Sequence, residues 1–457
     1  MQYPHKAFNI EDVPRKINSR SAWMLPWLMI CCGMILLSIW PLIHTMALRN
    51  ILIFSGGLTG LWYLLRERSN LYQKSALPLL FITLFFIWVG THYLLFARNP
   101  VLELANIKGT WARALLACFL GVGSGLFARH HQRVQQAVWI SIFSFVIIFY
   151  INYILISLTR NSWAIPYPNE LGMYGNKISV AFYGIMLLAL ICGVISYQLL
   201  KNTKNNGRIF FLSVVGIGLV FFAFIIVGTK NGVALGLVLI LSLLVLFISR
   251  AKKSLKNISL LAGCLVFIGL ATYLHLKLNP EWNNFFPTVA IGVQVDRYPN
   301  WQDDITYGLP KLADGTPVPV SAYLRTAYAT EGLKLMLENP LGYGLTDQSF
   351  RYLVLPIVNL DKAPRFALYG THSGWLDFTL GLGIPGLLLT WSAIASAIFY
   401  SYKQRTSWSC YTRWILAGVF ISWISAEIDS SHFIETLFYL IALLSAGNLP
   451  VITREGR

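Results

Sequence analysis

Residues 209–249 read IFFLSVVGIGLVFFAFIIVGTKNGVALGLVLILSLLVLFIS. Two apolar runs, 209–228 and 232–249, flank the short turn Gly228-Thr229-Lys230-Asn231, and neither run holds an Asp, Glu, Lys or Arg. At about 1.5 Å of rise per residue, each comes close to spanning a hydrocarbon layer of ~30 Å as a helix. Inside a bilayer every backbone N–H and C=O must be paired within the protein, which a helix achieves alone. The stretch is therefore a membrane hairpin, and it sets the fold class for its neighbours.

The same pattern recurs outward from the hairpin. Apolar runs fall at 22–41, 47–65, 76–97, 109–128, 137–158, 178–199, 258–276, 374–401, 413–428 and 431–448. The expectation is an all-α integral membrane protein of about twelve transmembrane helices, with one large periplasmic loop containing helices between spans nine and ten. Three regions follow: 1–276 with spans one to nine, the loop 277–373, and 374–457 with spans ten to twelve. With 56% hydrophobic and 12% charged residues and a mean hydropathy of +0.59, a soluble domain is excluded. About twenty polar residues precede the first run, which lacks a small-residue cleavage site, so it reads as a retained helix.

Lys and Arg in short loops set orientation. The N-terminal arm (Lys6, Arg15, Lys16, Arg20) and alternate loops (Arg66/Arg68/Lys74, Arg129/Arg133, Lys201/Lys204/Arg208, Arg250/Lys252/Lys253/Lys256, Lys403/Arg405/Arg413) all fall on one side, with Arg454 and Arg457. That side is read as cytoplasmic and the long loop as outside. The net charge of +17 is then topological and calls for no nucleic acid. Cys31, Cys32, Cys118, Cys192 and Cys264 fall within runs, Cys410 in a cytoplasmic loop, and none in the outer loop, so no disulfides are expected.

The outer side carries basic residues as well: Arg49, Arg98, Lys108, Arg113, Arg160, Lys177 and Lys230, against Glu103 and Glu170. Single long cations at helix ends often reach out to head groups. As a set they fit the lining of an anionic site, since Arg and Lys pair with phosphate oxygens. Arg98, Arg113, Arg160, Lys177 and Lys230 are the candidates for binding a pyrophosphate.

Within the loop, Ser321 to Asn339 has a helical apolar face through Tyr323, Ala327, Leu333 and Leu337, and Asn339-Pro340 stops it. A glycine-rich turn follows at Leu341-Gly342-Tyr343-Gly344-Leu345, and Arg325 sits on the helix's first turn. His372 ends the loop, five residues before Asp377. A lone histidine is more often structural than catalytic. A neutral imidazole of ordinary pKa near ~6.5 at a membrane–water boundary beside cations can nevertheless take a proton from a hydroxyl. No CxxC or HExxH occurs, so no metal site is expected. Asp303-Asp304 and the turn holding Glu427, Asp429, His432 and Glu435 are weak candidates better read as local polar clusters.

Arg325, then Glu338-Asn339-Pro340-Leu341-Gly342-Tyr343-Gly344, then His372-Ser373 and, beyond an intervening stretch, Gly383-Ile384-Pro385-Gly386 together resemble the signature of the O-antigen ligases, within the superfamily of O-antigen ligases and polymerases. The resemblance implies transfer of a polysaccharide from undecaprenyl pyrophosphate to a sugar hydroxyl of lipid A–core oligosaccharide, in lipopolysaccharide biosynthesis. It implies a multi-pass protein of the bacterial inner membrane with its site facing the periplasm, inverting and metal-independent, with no cofactor. His372 would be the base and Arg325 a pyrophosphate ligand. Asn339, Pro340, Gly342, Gly344, Ser373, Gly383 and Gly386 would shape the motif. Relatives often carry Arg where this chain has Lys230. The alternatives are an O-antigen polymerase, a protein O-oligosaccharyltransferase and, from another class, a transporter of lipid-linked glycans.

Overall fold

The computed structural model describes residues 20–165, 172–174, 176–201, 207–250, 255–278, 280–357, 370–425 and 431–450. Lys6, Arg15, Lys16, Glu170, Lys204, Lys252, Lys253, Glu427, Asp429, Arg454 and Arg457 lie outside the described residues.

The described residues are predominantly helical. In order, the helices are α1 Arg20–Ile39, α2 Met46–Arg66, α3 Leu77–Phe96, α4 Pro100–Asn106, α5 Ala112–Ala128, α6 Gln132–Thr159, α7 Lys177–Lys201, α8 Gly207–Val227, α9 Lys230–Arg250, α10 Leu255–Leu278, α11 Phe285–Gly292, α12 Asp304–Tyr307, α13 Val320–Glu338, α14 Ser349–Val354, α15 Gly374–Tyr402, α16 Ser407–Ser425 and α17 Ser431–Gly447. Among the described residues the only strand-like pairing is an isolated bridge between Lys311 and Pro317. A helix occupies each stretch read as a span. Among the described residues eight of these are long and apolar enough to cross a membrane, counting α4 and α5 as one. The protein is a multi-pass, all-α membrane protein.

α7 is the most enclosed of these spans and packs against α16, α9 and α8, while α5 packs closely against α17 and α2. Small residues allow that closeness, as membrane helices need. Gly121 and Gly125 of α5 lie against the backbone of Tyr439 and Leu443 on α17, and Gly60 of α2 against that of Phe119. Peripheral helices turn apolar side chains outward, with Ile51, Phe54 and Ile87 about 58–65% exposed, the pattern a lipid-facing surface requires.

Three sequence readings need correction. Cys410 and Arg413 belong to α16, not to a loop, and Cys410 is fully buried. α16 begins early because Thr406 caps it: Thr406 Oγ1 accepts from Ser409 N and Ser409 Oγ from Thr406 N, both at 3.1 Å. Glu103 and Lys108 lie in helix, not in a loop. Asn99 Oδ1 accepts from Leu102 N at 3.2 Å and Pro100 starts α4, which a π-turn at Ile107–Trp111 joins to α5. Finally, the tenth span is broken at Gly383, where φ is +73°.

The loop builds a core of its own from Trp301, Tyr323, Tyr328, Phe350 and Val354, and that core continues into Leu376 and Leu380 of α15. The loop is thus packed onto the first turns of the tenth span.

Candidate active site

The break in α15 organises the site. Pro385 has no N–H to give to the carbonyl of Gly381, and the turn at Gly383 frees that of Leu380. The glycine-rich turn fills both vacancies: Tyr343 N donates to Leu380 O and Gly344 N to Gly381 O, each at 2.7 Å, while Ile384 N donates to Pro340 O at 2.8 Å. Trp88 Nε1 takes the Leu382 carbonyl at 2.7 Å. The fit leaves no room for side chains. A Cβ on Gly342 (φ +84°) would stand 2.5 Å from Gly381 O, and one on Gly344 (φ +108°) would overlap the Glu103 carboxylate. Glu103 is held by His92 Nδ1 at 2.7 Å, whose Nε2 meets Leu341 O at 2.9 Å.

Gly344→Ala is therefore expected to cost about 2–6 kcal/mol, from an unfavourable backbone angle plus overpacking. Thermal unfolding of the purified variant would show it, and a melting temperature equal to the parent's would contradict the docked turn.

α13 lies across this platform. Arg325, Tyr328 and Gly332, at i, i+3 and i+7, share one face. A Cβ on Gly332 would sit 2.7 Å from Thr371 and Leu376 side-chain atoms, so the helix touches the loop's end directly. Tyr328 stacks on His372, with ring centroids 5.7 Å apart and planes 16° apart. His372 has φ +59°, uncommon for a residue with a Cβ and a frequent mark of functional sites. Asp377 holds that shape: its Oδ1 accepts from Thr371 N at 2.6 Å and from Thr371 Oγ1 at 2.8 Å. Asp377 N donates to Ser373 O at 2.9 Å, and Ser373 N donates to Thr371 Oγ1 at 3.2 Å. Burial first, and the charge of Arg325 second, push the His372 imidazole down to about 4. At neutral pH it carries no charge.

Beside α13 opens a cavity of about 490 Å³. Lys177, Lys230 and Arg325 line it, together with Thr229, Asn231, Ser321, Ser422 and Ser425, and no carboxylate does among the described residues. Lys177 and Lys230 each open a helix, so the positive ends of α7 and α9 add to their charges. The left-handed Gly228 (φ +63°) turns the chain into α9. Asn231 Nδ2 and Arg325 Nη1 both reach Ser425 O, at 2.9 and 3.4 Å. Apolar Ile178, Ala181, Ile185, Ala234 and Leu235 continue the cavity between α7 and α9.

The O-antigen ligase family model matches residues 215–391. Over that stretch the chain is similar to the O-antigen ligases. The similarity supports a ligase activity of glycosyltransferase type. No curated protein matches the chain. The O-antigen ligase segment starts within α8 and ends within α15, and takes in Lys230, Arg325, the glycine-rich turn, His372 and the break at Gly383.

The structure brings three of the six predicted cations together in the cavity and places the other three elsewhere. Arg98 Nη2 donates to Asn339 Oδ1 at 2.6 Å and lies over the Tyr343 ring at 5.8 Å, tying the glycine-rich turn down. Arg113 pairs with Glu435 at 2.9 Å. Arg160 is exposed at the end of α6. Asp303 caps α12 through Thr306 N at 3.0 Å. Among the described residues no three His, Cys, Asp or Glu converge on a metal position. Tyr328 and Gly332 went unread in the sequence, although their spacing from Arg325 was visible there. The lining residues Asn231, Trp282 and Phe285 carried no signal.

Proposed function

We propose that the protein transfers a glycan from undecaprenyl pyrophosphate to a sugar hydroxyl of lipid A–core oligosaccharide. In this reading it has twelve spans in the bacterial inner membrane, and the cavity and His372 face the periplasm. The convergence of Lys177, Lys230 and Arg325 with two helix N-termini in a cavity without a carboxylate among the described residues is the observation that carries it. Such a cavity suits a pyrophosphate, and its apolar continuation suits the first units of a polyprenyl chain.

His372 takes the proton of the acceptor hydroxyl as that oxygen attacks the anomeric carbon from the face opposite the phosphate. The carbon–oxygen bond to pyrophosphate breaks, and the cations stabilise the charge that grows on the departing oxygen. Configuration inverts in this single displacement. Pyrophosphate leaves readily, so side-chain cations suffice and the reaction is metal-independent. Tyr328 and Asp377 position the imidazole. Purified protein given lipid-linked glycan tests the reading with three acceptors: lipid A–core, a second lipid-linked repeat and a peptide, each with and without chelator. Product on lipid A–core alone is expected. Product only on the repeat would make it a polymerase, and metal-dependent product would overturn the metal-free step.

The acid limb of the pH profile follows from His372. Its folded pKa, about 4, lies below the ordinary ~6.5, so the fold favours the neutral imidazole. Protonation destabilises the native state as pH falls from ~6.5 towards ~4, where the unfolded chain binds the proton first. In the free enzyme kcat/KM should hold down to about pH 5. In the donor complex the pyrophosphate charge favours imidazolium and strengthens the base, so the kcat limb lies higher. A kcat/KM limb centred at ~6.5 would show an unburied histidine.

A further inference from the structure

A second cationic cluster is made of residues that do not line the cavity beside α13. α2 brings Arg49, α5 brings Arg113, and α17 brings His432 and Glu435. Glu435 is fully engaged: Oε1 lies 2.9 Å from Arg113 Nε, and Oε2 accepts from Trp40 Nε1 at 3.1 Å. Arg49 stands in electrostatic range of Glu435 and Arg113. Its Nη1 reaches the Trp40 carbonyl at 3.4 Å, but its Nε is buried and has no hydrogen-bond partner among the described residues. His432, in range of Arg49, buries an Nε2 that has none either. Among the described residues two guanidiniums thus face one carboxylate, and two nitrogens that can donate are unfilled. Leaving such groups buried and unmet is costly, and an entering oxyanion would meet both.

Two further features suggest what enters. The π-turn Ile107–Trp111 immediately precedes Arg113, and π-turns within helices recur at functional sites. That turn also carries Lys108, which is exposed. On α2, the turn that carries Arg49 inward presents Leu48 and Ile51 outward, 46% and 65% exposed, where acyl chains run. An anion attached to a lipid would suit both features.

We propose that Arg49, Arg113 and His432 form a phosphate site for a lipid headgroup, separate from the cavity at Lys177, Lys230 and Arg325. Its ligand is a phosphate ester on an acyl lipid, supplied by the phosphorylated acceptor or by a bilayer phospholipid. The first source rests on the function proposed above.

The test measures binding rather than transfer. Labelled lipid A, the same lipid stripped of phosphate, and phosphatidylglycerol are titrated into purified protein in detergent. The variants are Arg49→Gln and the charge-balanced pair Arg113→Gln with Glu435→Gln, with thermal unfolding followed alongside. Both should weaken phosphorylated lipid A by roughly ten- to a hundredfold and leave the stripped lipid unchanged. Lys230→Gln, in the other site, should leave this Kd in place. An equal loss for phosphatidylglycerol assigns the site to bilayer phospholipid, and loss for lipid A alone assigns it to the acceptor. Parental affinity in both variants overturns the site. If Arg49→Gln does not fold, Arg49→Lys replaces it: severalfold weakening supports the site and unchanged affinity overturns it. Absence of glycan transfer by the parent protein would sink the function reading and leave this binding result standing.

Discussion

Replacing His372 by alanine is expected to lower transfer by roughly a hundred- to ten-thousand-fold, the range for losing a positioned general base. The protein should stay folded, because His372 is only half-buried and the turn around it is held by other atoms. Thr371 is fixed through its own N–H and hydroxyl to Asp377, and α13 is seated by Gly332 against Thr371 and Leu376. The backbone angle of +59° does carry a cost for alanine, of order 1 kcal/mol, small beside the packing of the loop core. The measurement is donor consumption by purified variant at matched monodispersity. Donor binding should persist, since the cavity keeps its cations. A well-folded His372→Ala protein with near-parental turnover would remove the base from the mechanism.

Asp377→Asn separates chemistry from positioning. Asparagine can still accept through its carbonyl, so part of the turn survives. Loss of activity together with a higher acid limb would mean a loosened, more solvated imidazole.

Much of the fold was legible because its causes are local. Apolar runs with few charges gave the spans, and the period of Tyr323 and Ala327 with the stop at Asn339-Pro340 gave α13 almost to the residue. The long-range pairings were hidden. Gly344 fits against Glu103, and Arg113 finds its carboxylate at Glu435, each partner hundreds of residues away. A sequence lists cations but does not show which of them a distant carboxylate takes up. The glycine-rich turn could be read as a turn. That its N–H groups replace those lost to Pro385 and Gly383 needed both segments in space.

Arg325→Lys is the second large effect expected, on the order of ten- to a hundredfold slower turnover. Arg325 reaches the cavity from α13, and one nitrogen already meets Ser425 O at 3.4 Å. A guanidinium can keep that contact and still offer parallel N–H groups to phosphate, whereas an ammonium on a shorter, rounder tip must choose. Each charge-assisted hydrogen bond lost is worth roughly 1.5–3 kcal/mol, which sets the range. Lys230→Arg is the contrast. Lys230 opens α9 beside the same cavity, and relatives of the ligase type often carry arginine there, so the longer fork should keep most of the activity. The two variants are compared at equal expression by the time course of donor loss. If Arg325→Lys matches the parent while Lys230→Arg fails, Arg325 makes no bidentate contact and the compact ammonium of Lys230 carries the phosphate. Phosphate recognition then belongs to the helix N-termini of α7 and α9 rather than to the loop.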